Sequence, residues 1–366
     1  MTKANDIEMV RLGGMTSAEQ EQYEKNKVEI NKKISSLITE AAKNAKLGHC
    51  ILCKKPCSSF CNSHSIPQFA LKRIAEDGNV MLPLQDELLT IGKHTGVSKA
   101  GTFHIICREC DSRVFQLYEN PNTYNSKPTD QMLAQIALKD VLLMISKRNQ
   151  EREQYKLVGA QAEFLRGLAE EKIYWGNCDL RDYGENLEYA KRSLDSRKTN
   201  RYYLCFYDLL DYVVPYAAQA SITLISDFED NVVNNIYSQK QEYRIKDIHV
   251  AVFPLKSTSA ILLFIEDGVT RYRKFYRSLR KLTKEDQLAA INYLVFSYTE
   301  NVFMNPTTHK ELKKNGSFMD MCRKSTDFRS QTPFLLNDPL EVAVKEFSLS
   351  KRNEIPNLLS REYALN

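Results

Sequence analysis

The chain has 366 residues, of which 43% are hydrophobic and 27% charged, and it contains 19 Tyr and 16 Phe. This composition excludes a disordered or low-complexity protein, because the apolar residues are enough to bury a substantial core in two or three domains. The formal net charge of +5 is small for this length, so it permits a polyanionic partner without requiring one.

The first twenty residues, MTKANDIEMVRLGGMTSAEQ, contain no apolar signal segment. No later run approaches the roughly 18 uninterrupted apolar residues of a membrane span. We therefore expect a cytoplasmic protein without a membrane partner. In that reducing compartment the nine cysteines should be free or bound to metal rather than paired in disulfides.

The hydrophobic pattern divides the chain into four parts. Apolar residues at helical spacing predict an N-terminal helix within residues 1–47, and a cysteine-rich module follows over 48–125. Helical patterns dominate 126–200, and β-branched and aromatic runs in 201–366 predict an antiparallel sheet with further helices. The predicted fold class is therefore α+β.

Local signals place several boundaries within these parts. Ser126 or Thr129 is expected to cap the first long helix after the cysteine module, and a second helix is expected over 180–194. Strands are predicted in ASITLISDFEDN and on either side of the turn sequence KSTS. Thr283 has capping-box spacing with Asp286, which predicts a further helix start.

Two CxxC pairs, CILC at 50–53 and CREC at 107–110, carry the clearest chemical signal. Each knuckle presents two thiolates from a tight turn, and two knuckles complete the tetrahedral sulfur set that Zn²⁺ prefers. Structural zinc is predicted at Cys50, Cys53, Cys107 and Cys110. A local set within the first segment stays open as an alternative: Cys50, Cys53, Cys57 and Cys61.

Between the knuckles, ten residues after Cys53, lies the sequence SHSIP at 63–67, and Asp111 directly follows the second knuckle. This order resembles the HNH, or ββα-metal, nuclease family in its zinc-containing treble-clef form. The resemblance covers residues 48–120 and implies a zinc-bound treble-clef module within the α+β fold. It also implies an endonuclease that hydrolyses DNA phosphodiester bonds, of the kind used in phage defence and mobile elements.

The resemblance assigns roles to two residues. His64 matches the general base that activates water, and an imidazole that titrates near neutral pH suits this task. Asp111 stands where the family has a metal-binding histidine, and a carboxylate is a hard ligand for Mg²⁺ or Mn²⁺. Each residue also has a purely structural reading: His64 as a scaffold residue and Asp111 as a helix cap.

Two positions depart from the family pattern. Ser63 replaces the aspartate that normally shares the catalytic metal, and Thr102 falls near the place of the central asparagine. Glu119 or Glu109 is a candidate for the missing carboxylate, because Glu119 lies eight residues beyond Asp111 and returns to the same face after about two helical turns.

A second informative stretch, TRYRKFYRSLRKLTK at 270–284, has seven basic residues and no acidic one. Helical spacing places its aromatic residues toward the core and leaves basic side chains on the solvent side, where they can contact phosphates or remain solvated. The predicted nucleic-acid contacts are Arg273, Arg277, Arg280 and Lys284.

Two functions are consistent with these features. The first is an HNH-like, metal-dependent endonuclease that acts on DNA. The alternative is a catalytically silent zinc-binding module that binds nucleic acid or a protein partner. Homo-oligomerisation is open under both.

Overall fold

A computed structural model describes residues 17–84, 95–327 and 338–365, apart from residues 196, 198 and 239 and the side chains of residues 17–24, 27, 326 and 327. The helices are α1 Ser17–Asn44, α2 Gln68–Ile74, α3 Arg108–Val114, α4 Asp130–Gln161, α5 Arg166–Ser193, α6 Arg273–Leu279, α7 Lys284–Tyr298, α8 Pro306–Leu312, α9 Gly316–Asp327 and α10 Pro339–Glu346. The strands are β1 Ser63–His64, β2 Asn79–Val80, β3 Thr95–Gly96, β4 Thr102–Phe103, β5 Tyr202–Leu210, β6 Tyr216–Ile222, β7 Ile248–Pro254, β8 Ser259–Glu266 and β9 Val302–Met304. The α+β fold class is confirmed. None of the described helices is long and apolar enough to cross a membrane.

The predicted caps are present at two long helices. Thr129 caps α4, because its hydroxyl accepts a hydrogen bond from the backbone N–H of Met132. Thr283 caps α7 in the same way through the N–H of Asp286. Each cap satisfies one of the N–H groups that a helix leaves without a partner at its start.

Two element boundaries differ from the sequence prediction. Helix α5 begins at Arg166 rather than near residue 180, because it forms an antiparallel hairpin with α4 and packs along it. Strand β6 ends at Ile222 although its β-rich sequence continues. There the side chain of Asp227 accepts hydrogen bonds from the N–H groups of Glu229 and Asn231, which turns the chain away from the sheet.

The central sheet has five antiparallel strands in the order β5-β8-β7-β6-β9. The KSTS turn joins β7 to β8, as predicted. All seven residues of β7 are buried, which requires cover on both faces. Successive residues of β7 point to opposite faces of the sheet. Val250 and Val252 belong to a hydrophobic core shared with α6, α7 and α9. Ala251 and Phe253 belong to a second core, shared with α4 and the cysteine module.

Aromatic rings join the cysteine module to the sheet. The ring of Phe253 on β7 lies 5.1 Å from that of Tyr124 and 6.2 Å from that of Tyr118, both in edge-to-face contact. The hydroxyl of Tyr118 donates a hydrogen bond to the Ser65 carbonyl at 2.7 Å. Close packing continues at Gly101, where φ is +61° and an added Cβ would lie 2.7 Å from the Ser65 hydroxyl, so only glycine fits.

Replacing Phe253 with alanine should lower the free energy of unfolding by about 3–5 kcal/mol, because it opens a cavity in this aromatic junction. Urea denaturation followed by circular dichroism measures the change. Phe164→Ala is the matched control, since Phe164 is 69% exposed and its loss should cost less than about 0.5 kcal/mol. Equal effects of the two substitutions would contradict the proposed junction.

Candidate functional site

Backbone and side-chain hydrogen bonds bring the two CxxC segments together. The N–H of Ile51 in the first knuckle donates to the carbonyl of Ile105, just before the second, at 3.1 Å. Cys107 is the N-cap of α3, so Cys110 projects from the first helical turn. The N–H of Cys107 also donates to Sγ of Cys50 at 3.3 Å. The two knuckles therefore face each other.

The four predicted thiols form one cluster. The Sγ atoms of Cys50, Cys53, Cys107 and Cys110 all lie within 4.8 Å of one another, and those of Cys53 and Cys107 are 3.8 Å apart. No other group of His, Cys, Asp or Glu in the described part of the chain meets this criterion. The prediction of a four-cysteine cluster able to hold a metal ion is therefore confirmed.

The other two cysteines of the segment lie outside this cluster. Sγ of Cys57 donates to the carbonyl of Ser59 at 3.1 Å. Burial and the neighbouring Asp111 carboxylate raise the pKa of Cys61 to about 12, so its thiol is protonated at neutral pH. The local alternative set, Cys50 and Cys53 with Cys57 and Cys61, therefore does not form a metal-binding cluster.

Electrostatics within the cluster favour metal binding. Burial acts to raise the pKa of Cys50, but hydrogen bonds from backbone N–H groups, including that of Cys107, outweigh it and lower this pKa to about 7. Burial and the neighbouring thiols raise the pKa of Cys110. A bound cation would stabilise the crowded thiolates, because coordination by a metal deprotonates thiols.

The catalytic candidates lie beside the cluster on a short ribbon and the following helix. Strands β1 and β4 pair antiparallel, with Ser63 opposite Phe103 and His64 opposite Thr102. Helix α3 carries Asp111, whose Oδ1 accepts a hydrogen bond from the Ser63 hydroxyl at 2.7 Å. The structure therefore joins Ser63 to Asp111, and the side chain of Asp111 does not act as the helix cap.

A lysine that the sequence analysis did not single out lies at the centre of this arrangement. Lys139 on α4 is fully buried, and its Nζ donates to the Ser63 hydroxyl at 2.7 Å and to Oδ1 of Asp111 at 2.9 Å. Nζ is also 3.7 Å from Oε1 of Glu119 and 4.1 Å from the ring centre of Phe115. The three oxygen-bearing side chains expected around a divalent ion thus surround an ammonium group.

The ammonium group sets the charge of the neighbouring carboxyl groups. Burial acts to raise the pKa of Asp111, but the charge of Lys139 and the hydrogen bonds from Ser63 and Lys139 outweigh it and lower this pKa. For Glu119 burial prevails over the attraction of Lys139 and raises the pKa. Asp111 is therefore the principal counter-ion of Lys139.

His64 is held by the backbone rather than by a carboxylate. Its Nε2 lies 3.0 Å from the carbonyl oxygen of Val97, and because a carbonyl only accepts, Nε2 carries the proton and donates. Burial lowers the pKa of His64 despite this hydrogen bond, and the Lys139 charge acts in the same direction. The ring is therefore neutral at pH 7, with Nδ1 as its basic atom.

The structure separates the predicted nucleic-acid residues from this site. Helix α6 packs on the sheet face opposite the cysteine module, and Arg273 and Arg277 on it are exposed. Arg280 instead lies over the ring of Tyr203 at 5.3 Å, and Lys284 forms an ion pair with Asp208. Two of the four predicted side chains are therefore engaged within the fold.

The sequence contains a signal that Lys139 is a buried charge with a partner. Lys139 and Asp140 interrupt the run MLAQIALKDVLLMI, which is otherwise apolar except for Gln135 and in which residues on every face of the helix are buried. Charged residues are almost never fully buried unless they are paired. Adjacent charges in such a run indicate two buried polar sites, although the sequence does not reveal their partners.

Replacing Cys107 with serine should remove bound metal and destabilise the cysteine module, because structural metal binding contributes directly to folding. Cys57→Ser is the matched control and should retain the metal content of the wild type. Elemental analysis of purified protein and thermal unfolding measure both effects. Equal metal loss in the two variants would exclude the four-cysteine cluster as the metal site.

Replacing Lys139 with methionine should lower the free energy of unfolding by about 1–3 kcal/mol, because it leaves the half-buried Asp111 carboxylate without its counter-ion. Lys156→Met is the control, since Lys156 is exposed on the same helix, 51% by side chain, and loses only a surface ion pair with Glu153. Urea denaturation in the presence of metal measures both. A cost for Lys139→Met no larger than that of the control would contradict the buried ion pair.

The same ion pair predicts a pH dependence. Because the folded-state pKa of Asp111 is below its ordinary value of 3.8, its contribution to stability is complete above that value and is lost as pH falls through the lower folded pKa. The stability difference between the wild type and Asp111→Asn should stay constant from neutral pH to about pH 5 and narrow only below about pH 4. Urea midpoints measured at several pH values test this prediction. A stability difference that already narrows near pH 6 would contradict it.

Comparisons with known proteins leave the family open. A scan against protein-family models, a search of curated proteins and a search of solved structures find no significant match to this chain. The HNH resemblance remains a prediction from the order of residues 48–120. The structure itself establishes a four-cysteine cluster able to hold a metal ion, within an α+β fold.

Proposed function

We propose that residues 48–120 form a zinc-stabilised, HNH-like module that does not cleave, and that the protein binds nucleic acid. The single observation that carries the proposal is the position of Lys139 Nζ among Ser63, Asp111 and Glu119. The proposal corresponds to the catalytically silent alternative derived from the sequence.

The cluster geometry supports zinc as the structural ion. A tetrahedral site with Zn–S bonds of about 2.3 Å has sulfur–sulfur edges of about 3.8 Å. The Sγ atoms of Cys53 and Cys107 are separated by 3.8 Å. Four thiolates without an open position also match a structural site rather than a catalytic one.

The buried ammonium group argues against a catalytic divalent ion in the same place. Lys139 supplies one positive charge and donates to both Ser63 and Asp111. A Mg²⁺ or Mn²⁺ that coordinates Asp111 there would have to approach within about 2 Å of its carboxylate and displace a fully buried ammonium group that already donates to it. Without that ion, His64 has a basic Nδ1 but no metal to activate the phosphodiester.

Exposed cations on α6 support binding to a polyanion. Among the described residues no carboxylate pairs with Arg273 or Arg277 within ion-pair distance. Such side chains can neutralise phosphates and release counterions, which is the dominant, sequence-independent part of nucleic-acid affinity. The aromatic residue between them, Phe275, is fully buried, so contact would be through charge rather than base stacking.

Fluorescence anisotropy with a labelled DNA duplex and an RNA strand tests the binding. Wild type should bind with an affinity that falls steeply with salt, and Arg273→Ala/Arg277→Ala should reduce the slope of log K against log[salt] by about 2 for duplex DNA. Lys32→Ala/Lys33→Ala on the exposed face of α1 is the charge-matched control and should leave the slope unchanged. Equal slopes for wild type and the α6 variant would exclude α6 as the contact surface.

A cleavage assay tests the absence of catalysis. The zinc-loaded protein is incubated with plasmid in Mg²⁺ or Mn²⁺, beside His64→Ala. No His64-dependent product is expected. Cleavage that His64→Ala abolishes would overturn the silent-module proposal and establish the nuclease hypothesis instead.

A further inference from the structure

The four thiols of the metal cluster differ in their exposure to solvent. Cys50 and Cys110 are 0% and 2% exposed, so protein atoms cover both residues. Cys53 and Cys107 are partly exposed, and each belongs to a different knuckle. The cluster therefore has a buried pair and an accessible pair, and a small solute reaches the accessible pair first.

The two accessible sulfur atoms are also close to each other. Sγ of Cys53 lies 3.8 Å from Sγ of Cys107. A disulfide bond is about 2.05 Å long, so the two atoms need to approach by less than about 2 Å once no metal ion lies between them. Cysteines that bind a metal are thiolates, and oxidation of cysteine follows thiolate character and exposure. The pair combines thiolate character, accessibility and a neighbouring sulfur.

The two remaining cysteines of the segment are hydrogen-bonded elsewhere. Sγ of Cys57 donates to the carbonyl of Ser59 at 3.1 Å. The thiol of Cys61 donates to the carboxylate of Asp111. Neither belongs to the four-thiol cluster. A thiol that keeps its proton is a poor nucleophile, so the reactive sulfur atoms of this segment are those of the cluster.

The knuckles and α3 are held in place by contacts that do not involve a metal. The N–H of Ile51 in the first knuckle donates to the carbonyl of Ile105 at 3.1 Å. Asp111 on α3 pairs with the buried Lys139 of α4 at 2.9 Å. These contacts keep the two knuckles adjacent when the metal leaves. A disulfide between them can therefore form within the folded module and be reduced again.

We propose that Cys53 and Cys107 are an oxidation-sensitive pair, at which a hydroperoxide converts two metal-binding thiolates into a disulfide and the metal ion is released. The inference rests on the proposed function in one respect, which is that the cluster holds structural zinc. It adds a covalent modification at two residues and the chemical class of the oxidant.

The electrons and atoms of this step balance with hydrogen peroxide as the oxidant. The thiolate of one cysteine attacks a peroxide oxygen, the O–O bond breaks, and hydroxide leaves, which gives a sulfenic acid. The thiolate of the other cysteine attacks that sulfur, forms the S–S bond and expels a second hydroxide. The two sulfur atoms together lose two electrons, and both hydroxide ions take up protons from solvent to give water. Only the two buried thiolates then remain as ligands, which is too few for a closed zinc site.

Peroxide treatment of the full-length, zinc-loaded protein tests the proposal. Elemental analysis gives the zinc content before peroxide is added, and a chromophoric chelator reports zinc release afterwards. Zinc release should accompany the loss of free thiols. Peptide mapping under non-reducing conditions should find Cys53 linked to Cys107. Dithiothreitol and added zinc should restore the original zinc content, because the disulfide is the reversible stage of cysteine oxidation.

Two histidine substitutions separate the accessible pair from the buried pair. Three cysteines and one histidine also form a zinc site, so each variant keeps four ligands. Cys53→His removes one member of the accessible pair and should slow zinc release at least about fivefold. Cys110→His is the matched control, since it makes the same change at a buried cysteine, and its release rate should stay within about twofold of wild type. Elemental analysis and a melting curve show whether each variant binds zinc and folds, and the disulfide map of the wild type decides the question if one does not.

No zinc release with peroxide, a disulfide between other cysteines, or equal release from Cys53→His and Cys110→His would overturn this inference and leave the proposed function intact. A chain that contains no zinc before peroxide is added would overturn the structural zinc of the proposed function and this inference with it. Nucleic-acid binding is measured separately, through Arg273 and Arg277 on the opposite face of the sheet.

Discussion

The buried ammonium group of Lys139 is the constraint on which the arrangement of the cysteine module depends. It joins helix α4 to strand β1 through Ser63 and to helix α3 through Asp111. Aromatic rings of Phe115 and Tyr118 cover it, so water does not compensate its charge. A cation in such surroundings is stable only with its carboxylate partner in place, which fixes α3 and its cysteines relative to α4.

The same constraint underlies the proposal that the module does not cleave. In an HNH-like arrangement, the oxygen ligands beside the water-activating histidine hold a divalent ion. Here the same positions hold a covalently attached monovalent cation that cannot coordinate a phosphate oxygen as a Lewis acid. Among the described residues, the four thiols are the group able to hold a metal ion, and such an ion would join the two knuckles.

Helix α4 connects this site with a second buried polar cluster, formed by Asp140, Gln219 and His249. Successive side chains of a helix point about 100° apart, so Lys139 and Asp140 contact different neighbours. Lys139 faces the cysteine module, whereas Asp140 faces the sheet and contacts Gln219 and His249. The first half of α4, which is buried on all sides, thus carries two charges to two separate polar sites, and its sequence shows no single apolar face.

The sequence by itself determined the features that depend on short spacing. The CxxC knuckles, the caps at Thr129 and Thr283, and the β7–β8 hairpin all follow from residues a few positions apart, where local geometry limits the outcome. Only the tertiary structure decided that Lys139 lies between Ser63 and Asp111, since these residues are 76 and 28 positions from it in the chain, respectively. It also placed Arg273 and Arg277 on the sheet face opposite the cysteine module. Such pairings depend on how helices pack on the sheet, and a local pattern predicts that a buried charge needs a partner without indicating which residue supplies it.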